Sequence, residues 1–264
     1  MDILRKKLAP ISDQAWEEIN EEAKETLTTA LSARKFVDVV GPKGFDYAAV
    51  PVGRLDVPEK QGKDKVHYGI HKTLPLVEIR MPFELDIWEL DNVARGNEDI
   101  DLDNLVEAAK KIARFEEDAI YKGFKPANID GLMNASEHQE LQLTGNLDQL
   151  VDLLSQAIIS FRDEAVEGPF DLVVGHDIYQ HINSYNMDYP LSKHIENIIQ
   201  GNIILSDNIE NALLVAQRGG DFRLTLGQDF SIGYEAHDKK KVELYLTESF
   251  TFQVIDPAAV VVFK

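Results

Sequence analysis

The sequence predicts an α+β fold, and three patterns carry that prediction. Amphipathic helical spacing runs through about residues 12–33 and again through 101–123. Between about 147 and 216, helical patterns alternate with short apolar strands. From Gly219 onward, apolar and polar residues alternate with period two, as a half-buried strand requires, because successive side chains point to opposite faces.

Ser12 is placed to cap the first helix, which reads to about Ala33 with Trp16, Ile19, Ala23, Leu27, Ala30 and Leu31 on one stripe. Glu17 and Glu18 sit near its positive end, Arg34 and Lys35 near its negative end. Gly41-Pro42-Lys43-Gly44 breaks the chain, and residues 45–80 read as extended, with weak core content and a charged tip at Glu59–Lys65. Such a hairpin cannot bury itself and calls for a neighbour; the alternative is a solvated hairpin on a monomer.

Asp101 or Asp103 is expected to cap the second long helix, which ends at Gly123 and carries Leu105, Val106, Ala109, Ile112, Ala113, Phe115, Ala119 and Ile120 on a broad apolar face. A helix Leu147–Asp163 then leads through Gly168-Pro169 to a buried strand Phe170–Val174. Helices Asp177–Tyr185 and Ser192–Gln200 and strands Asn202–Leu205 and Ala212–Ala216 follow, a compact α/β unit. Gly219-Gly220 returns the chain to the first unit. There Phe222, Leu224 and Leu226 alternate in one strand and Leu244 and Leu246 in another, and His237–Lys241 between them reads as a hairpin turn. The last apolar run reaches almost to Lys264, so this end is expected to be built into the fold.

Composition narrows the function. The 264 residues suffice for one large or two small domains, and 44% hydrophobic with 28% charged residues is ordinary for a globular protein. No apolar run approaches the roughly 20 residues of a membrane span, and MDILRKKLAP has no apolar signal core. The absence of cysteine excludes disulfides, thiolate catalysis and cysteine-based zinc sites. A cytoplasmic location with no membrane partner is expected. Against 46 acidic residues stand 27 basic ones, a net charge of −19. Such a surface repels phosphate backbones, so no nucleic acid partner is expected.

Catalytic and metal motifs are weak. His176-Asp177-x-x-x-His181 has helical spacing, but Asp177 follows a strand and reads as a helix cap; His67 and His71 read as surface residues. Glu84, Asp86, Glu89 and Asp91 resemble the carboxylate sets of glycosidases or metal sites, yet a solvated face or subunit salt bridges explain them as well. Gly41–Gly44 lacks phosphate-loop spacing, and no Gly-x-Ser-x-Gly elbow occurs. No catalytic or metal residue is assigned.

Five long blocks give a more specific signal. GGDFRLTLGQDFSIGYE, LTESFTFQVIDP, FELDIWELDNVARG (Phe83–Gly96), ARKFVDVVGPKGFDYAAVPVG (Ala33–Gly53) and LAPISDQAWEEI (Leu8–Ile19) span nearly the whole chain, with residues 124–165 matching least well. Together they resemble the encapsulin shell proteins of the compact, family 1 type. The resemblance implies a tailed-phage major-capsid-like fold and a non-enzymatic subunit that self-assembles into an icosahedral shell. About 60 copies would enclose a cargo enzyme, a ferritin-like iron-storage protein or a dye-decolorizing peroxidase. The rivals are a phage-type capsid protein packaging nucleic acid and a carboxylate-dependent hydrolase.

The same resemblance divides the chain. Residues 1–44 form the N-terminal helix and start of a peripheral domain, 45–80 an extended loop, and 81–127 the peripheral domain with its spine helix. Residues 128–220 form an axial domain, and 221–264 return to the peripheral domain. It also assigns sites. Leu31, Arg34 and Asp38 lie in the docking region for a cargo C-terminal peptide, as an apolar groove edged by two charges; the alternative for those charges is an intramolecular Arg–Asp pair. Asn186, Met187 and Asp188 lie at a five-fold pore, where a ring of Asp188 would concentrate cations. Some family members stack a flavin, FMN or riboflavin, on a tryptophan; the matching positions here are Trp88, Arg80 and Tyr189. The alternative for Trp88 is packing between domains or subunits.

Overall fold

The computed structural model describes residues 3–59, 66–143, 149–184 and 190–264. Helix α1 (Asp13–Ala30) begins where Ser12 accepts a hydrogen bond from the Ala15 N–H at 3.2 Å. Its buried stripe is Ala15, Ile19, Ala23 and Leu27, spaced three to four residues apart. It stops at Ala30, three residues short of the expectation, because Leu31 leaves helical geometry and a 3-10 turn, Ala33–Lys35, takes over.

The long helix α3 (Asp103–Tyr121) is the second expected helix, but neither Asp101 nor Asp103 caps it. Leu102 occupies the N-cap position and is buried, so packing rather than capping sets this end; Asp101 instead accepts from the Asp103 N–H at 3.1 Å. Gly123 ends the turn after it at φ +89°, where an added Cβ would lie 2.8 Å from the Ile129 carbonyl oxygen. A short helix, α2 (Ile87–Ala94), precedes α3, with Asp86 accepting from the Trp88 and Glu89 N–H groups.

Four strands form the first sheet, in the order β1 (Asp38–Val40), β8 (Phe222–His237), β9 (Lys241–Val254), β4 (Val77–Asp86). The predicted closing hairpin is β8–β9, antiparallel from Phe222↔Val254 to His237↔Val242. Its turn is held by Asp238, whose Oδ1 accepts from the N–H groups of Lys240 and Lys241 at 2.7 and 2.8 Å. Helix α3 packs on β4 and β9, and α1 packs on α3. Leu85, Leu105, Ile112, Leu244 and Leu246 are buried between these elements; each such side chain contributes about 1.5–3 kcal/mol.

The second sheet has the order β10 (Val260–Phe263), β7 (Ala212–Ala216), β5 (Phe170–Val174), β6 (Ile203–Leu205). All five residues of β5 are buried, as a central strand covered on both faces requires. Around it lie α5 (Leu150–Asp163), α6 (His176–Ser184) and α7 (Leu191–Ile199), the alternation expected from sequence. A four-residue helix, α4 (Leu132–Ala135), packs on α3. Asp177 lies inside the first turn of α6 rather than capping it.

Two boundaries differ from the expectation. The last strand, β10, pairs antiparallel with β7, so residues 260–263 belong to the second sheet and not to the returning peripheral unit. Period two alone does not say which sheet edge a terminal strand joins. The extended loop is also shorter than 45–80. It consists of β2 (Ala49–Asp56) and β3 (Ile70–Pro75), while Val77 onward joins the first sheet opposite Phe250. Val52, Leu55, Val57, Val66, Tyr68 and Ile70 are all exposed on this hairpin. Most of its charged tip, residues 60–65, lies outside the described residues.

Candidate functional site

The C-terminal half of α1, the turn after it and β8 enclose a cavity of about 480 Å³. Leu27, Leu31, Ile232 and Leu246 give it apolar walls, and Lys6, Lys24 and Lys35 stand at its edge. Strand β8 shifts register between Gln228 and Ser231, taking Asp229 and Phe230 out of the ladder. A bulge re-aims side chains in this way, and both residues line the cavity.

Arg34 closes the floor. The 3-10 turn presents its guanidinium over the Phe230 ring, 4.9 Å from the centroid. Nε and Nη2 meet Glu116 on α3 at 2.9 and 2.5 Å, Nη2 meets Glu248 on β9 at 2.6 Å, and Nη1 meets Asp229 at 2.9 Å. Glu116 and Glu248 have side chains that are 0% exposed, while Asp229 is 45% exposed. Glu248 Oε2 is buried and has no hydrogen-bond partner.

One guanidinium cannot neutralise two buried carboxylates and a third at the rim. Burial pushes the Glu248 carboxyl well above the usual carboxylate range, and the adjacent Glu116 charge pushes it further; Arg34 pulls the other way. Burial opposes the charge on Arg34, but the hydrogen bond and charge of Glu116, then Glu248 and Asp229, outweigh it and hold the guanidinium protonated. A second network backs the same turn. Glu117 accepts from the Ala33 N–H at 2.9 Å and from the Ser32 hydroxyl, which also contacts the Tyr121 hydroxyl at 2.7 Å. Burial pushes the Glu117 carboxyl up to about 7 against the pull of those bonds.

Of the residues expected at the docking groove, Leu31 and Arg34 line this cavity and Asp38 does not. Asp38 lies on β1 and accepts from the Gly220 N–H at 2.6 Å. Arg34 and Asp38 therefore do not pair with each other; the cation is drawn inward by carboxylates 82 and 214 residues away in sequence. The sequence reading missed Glu116, Asp229, Phe230 and Glu248. Two of them left a signal. Glu116 stands four residues from both Ile112 and Ile120 on the apolar stripe of α3, and Glu248 shares strand parity with Leu246 and Phe250. A carboxylate in an apolar register needs a buried partner.

The other expected sites are less assembled. Trp88, in the first turn of α2, is 72% exposed. Arg80 pairs with Glu78 at 2.9 Å and lies 4.9 Å above the Tyr245 ring. Neither lines the cavity between α1 and β8. One chain thus offers a flavin an open indole face and a guanidinium already engaged. Tyr189 and the pore residues Asn186, Met187 and Asp188 lie outside the described residues.

The carboxylate cluster has local partners. Glu84 pairs with Lys241 at 2.5 Å, Asp86 caps α2, Glu89 accepts from Asn92 and the Asp101 N–H, and Asp91 lies 3.7 Å from Arg95. His176 pairs with Asp207 at 2.9 Å, and no group of three metal-ligating side chains occurs among the described residues. No helix among them is long and apolar enough to cross a membrane.

Comparison with known proteins decides the family. The model of the family described as "encapsulating protein for peroxidase" matches residues 1–251. A Type 1 encapsulin shell protein of Rhodospirillum rubrum is 41% identical over 99% of this chain and 96% of its own length. The chain belongs to the encapsulin shell-protein family. A second Type 1 encapsulin shell protein, from Mycobacterium tuberculosis, is 38% identical over 96% of this chain and 95% of its own length. Among solved structures, a virus-like particle from Pyrococcus furiosus superposes with TM-score 0.69 at 18% identity, covering 94% of this chain and 98% of that one. The capsid of Myoviridae Phage XM1 superposes with TM-score 0.55 at 13% identity, covering 88% of this chain and 90% of that one. This encapsulin thus has the tailed-phage major-capsid fold, and it is a shell protein whose copies build a cage.

Proposed function

We propose that about 60 copies of this encapsulin close into an icosahedral cage in the cytoplasm, around a cargo enzyme held by its C-terminal peptide. The observation that carries the assembly is the β2–β3 hairpin. Val52, Leu55, Val57, Val66 and Ile70 on it are exposed among the described residues, which is the surface an inter-subunit clasp would bury. The family description names peroxidase as the enclosed protein, so a dye-decolorizing peroxidase or a ferritin-like iron-storage protein is the proposed cargo class. The chemistry would be the cargo's, and the subunit's role structural.

The cavity between α1 and β8 is the proposed peptide seat. Leu27, Leu31, Ile232 and Leu246 would take apolar side chains of an extended segment, with Arg34 and Asp229 orienting its backbone. The test is co-expression with the enzyme encoded beside the shell protein, followed by size-exclusion chromatography and electron microscopy. Closed particles with low nucleic-acid absorbance and enclosed enzyme are expected; Phe230→Asp should give closed, empty particles. A small oligomer would overturn the assembly, and full loading of the variant would overturn the seat.

Trp88 supports a second, narrower proposal. At 72% exposure its ring is a ready stacking face, so a flavin would bind there with a neighbouring subunit covering its other side.

A further inference from the structure

We propose that a proton held by Glu248 lets Arg34 bridge Glu116 and Glu248, so that the wall of the cavity between α1 and β8 is latched by proton uptake and cargo-peptide docking weakens as the proton is lost. The inference rests on the docking role proposed for that cavity.

The geometry carries it. Both carboxylates lie on the same guanidinium nitrogen, Nη2, at 2.5 and 2.6 Å, so their bonded oxygens are close neighbours in a region without solvent. Ionising the Glu248 carboxyl there carries a large electrostatic cost, because burial disfavours its charge and the guanidinium is already engaged by Glu116. Glu248 Oε2, buried and unpartnered, is a vacant oxygen on which the proton can reside. With the proton present, Arg34 bridges α3, β9 and the bulge of β8 as one unit. Without it, an uncompensated buried charge is relieved most cheaply by admitting water at Arg34, which loosens the turn Ala33–Lys35 and with it the cavity wall.

Asp229 on β8 and Glu117 and Tyr121 on α3 stand around this cluster, while Lys35 on the turn, Lys24 on α1 and Lys6 in the N-terminal turn line the cavity above it. No histidine lines the cavity among the described residues. Glu117 works in the same sense. It holds the Ala33 N–H and the Ser32 hydroxyl, and its carboxyl, pushed up to about 7 by burial, also prefers its proton when folded.

The experiment uses intact shells and the fluorescein-labelled C-terminal peptide of the enzyme encoded beside the shell protein. Its affinity is followed by anisotropy as the pH is raised from acidic to alkaline values. Linkage is reciprocal: a tenfold loss of affinity corresponds to a shift of about one unit in the cluster's proton affinity on docking. A loss of about tenfold is the expected result. Glu248→Gln, neutral and of the same shape, should keep the low-pH affinity throughout. Asp229→Asn, at the rim, should weaken binding while leaving its pH dependence in place. Empty shells in a Glu117→Gln background give a readout free of the peptide: an infrared carboxylic-acid C=O band that titrates there and is lost when Glu248→Gln is added. Peptide binding that is flat with pH, or a titrating band that survives Glu248→Gln in that background, overturns the latch alone. Absence of peptide binding at every pH overturns the docking role and the latch together.

Discussion

Arg34 and Glu248 stand 214 residues apart in sequence, and their side chains meet at 2.6 Å beneath the cavity wall. The contact ties the end of the first helix to the last long strand, and it changes what substitutions at the docking region should do.

Arg34→Ala is expected to cost stability as well as cargo, because it leaves Glu116 and Glu248 buried without their cation. Breaking such an arrangement by removing one partner costs about 3–5 kcal/mol. Thermal unfolding of purified shells checks this, and adding Glu248→Gln to the same chain should restore part of the loss. Asp38→Ala should act differently. It removes a single bond to the Gly220 N–H, about 1 kcal/mol, and peptide binding should be unchanged. Equal effects from the two variants would show that the buried cluster does not hold the turn.

Glu117 predicts the direction of the pH dependence. Burial pushes its carboxyl from the ordinary 4.5 up to about 7, so the folded state binds the proton more tightly than the unfolded chain. The contribution is therefore full below about pH 4.5 and is lost as pH rises through about 7, beyond which it is flat. The loss is on the order of 3 kcal/mol. Glu117→Gln should flatten the fall in unfolding temperature over that window. An identical pH profile in both proteins would remove Glu117 as its source.

The hairpin arm predicts an assembly defect without a folding defect. Leu55 and Ile70 are exposed in the subunit, so Leu55→Asp with Ile70→Asp should leave its circular dichroism unchanged. Each forgoes about 1.5–3 kcal/mol of burial at a subunit contact, and negative-stain images should show few closed particles. Normal shells from the double variant would place the clasp elsewhere.

Trp88 predicts colour. Stacking on its ring contributes about 0.5–1.5 kcal/mol beyond area burial, too little to hold a flavin without help from a neighbouring subunit. Shells incubated with FMN or riboflavin and desalted should retain flavin absorbance. Trp88→Ala should abolish it while assembly persists, since the side chain has little packing to lose. Colourless wild-type shells would leave Trp88 as a subunit contact.

The sequence by itself determined the elements and the family. Period-two alternation from Phe222 and 3.6-residue stripes on α1 and α3 state which face of each element is buried, and that information is local. The five long blocks likewise needed no coordinates. Tertiary structure alone decided what met what. The side of the chain on which β10 would pair, the step of β8 that turns Phe230 into the cavity, and the partner of Arg34 depend on residues far apart in sequence. Glu116 and Glu248 were visible only as carboxylates out of place on apolar faces. Burial makes an unpaired charge so costly that each had to find a cation, but only the folded chain brings α3 and β9 to the same guanidinium, leaving Asp38 to the loop at Gly220.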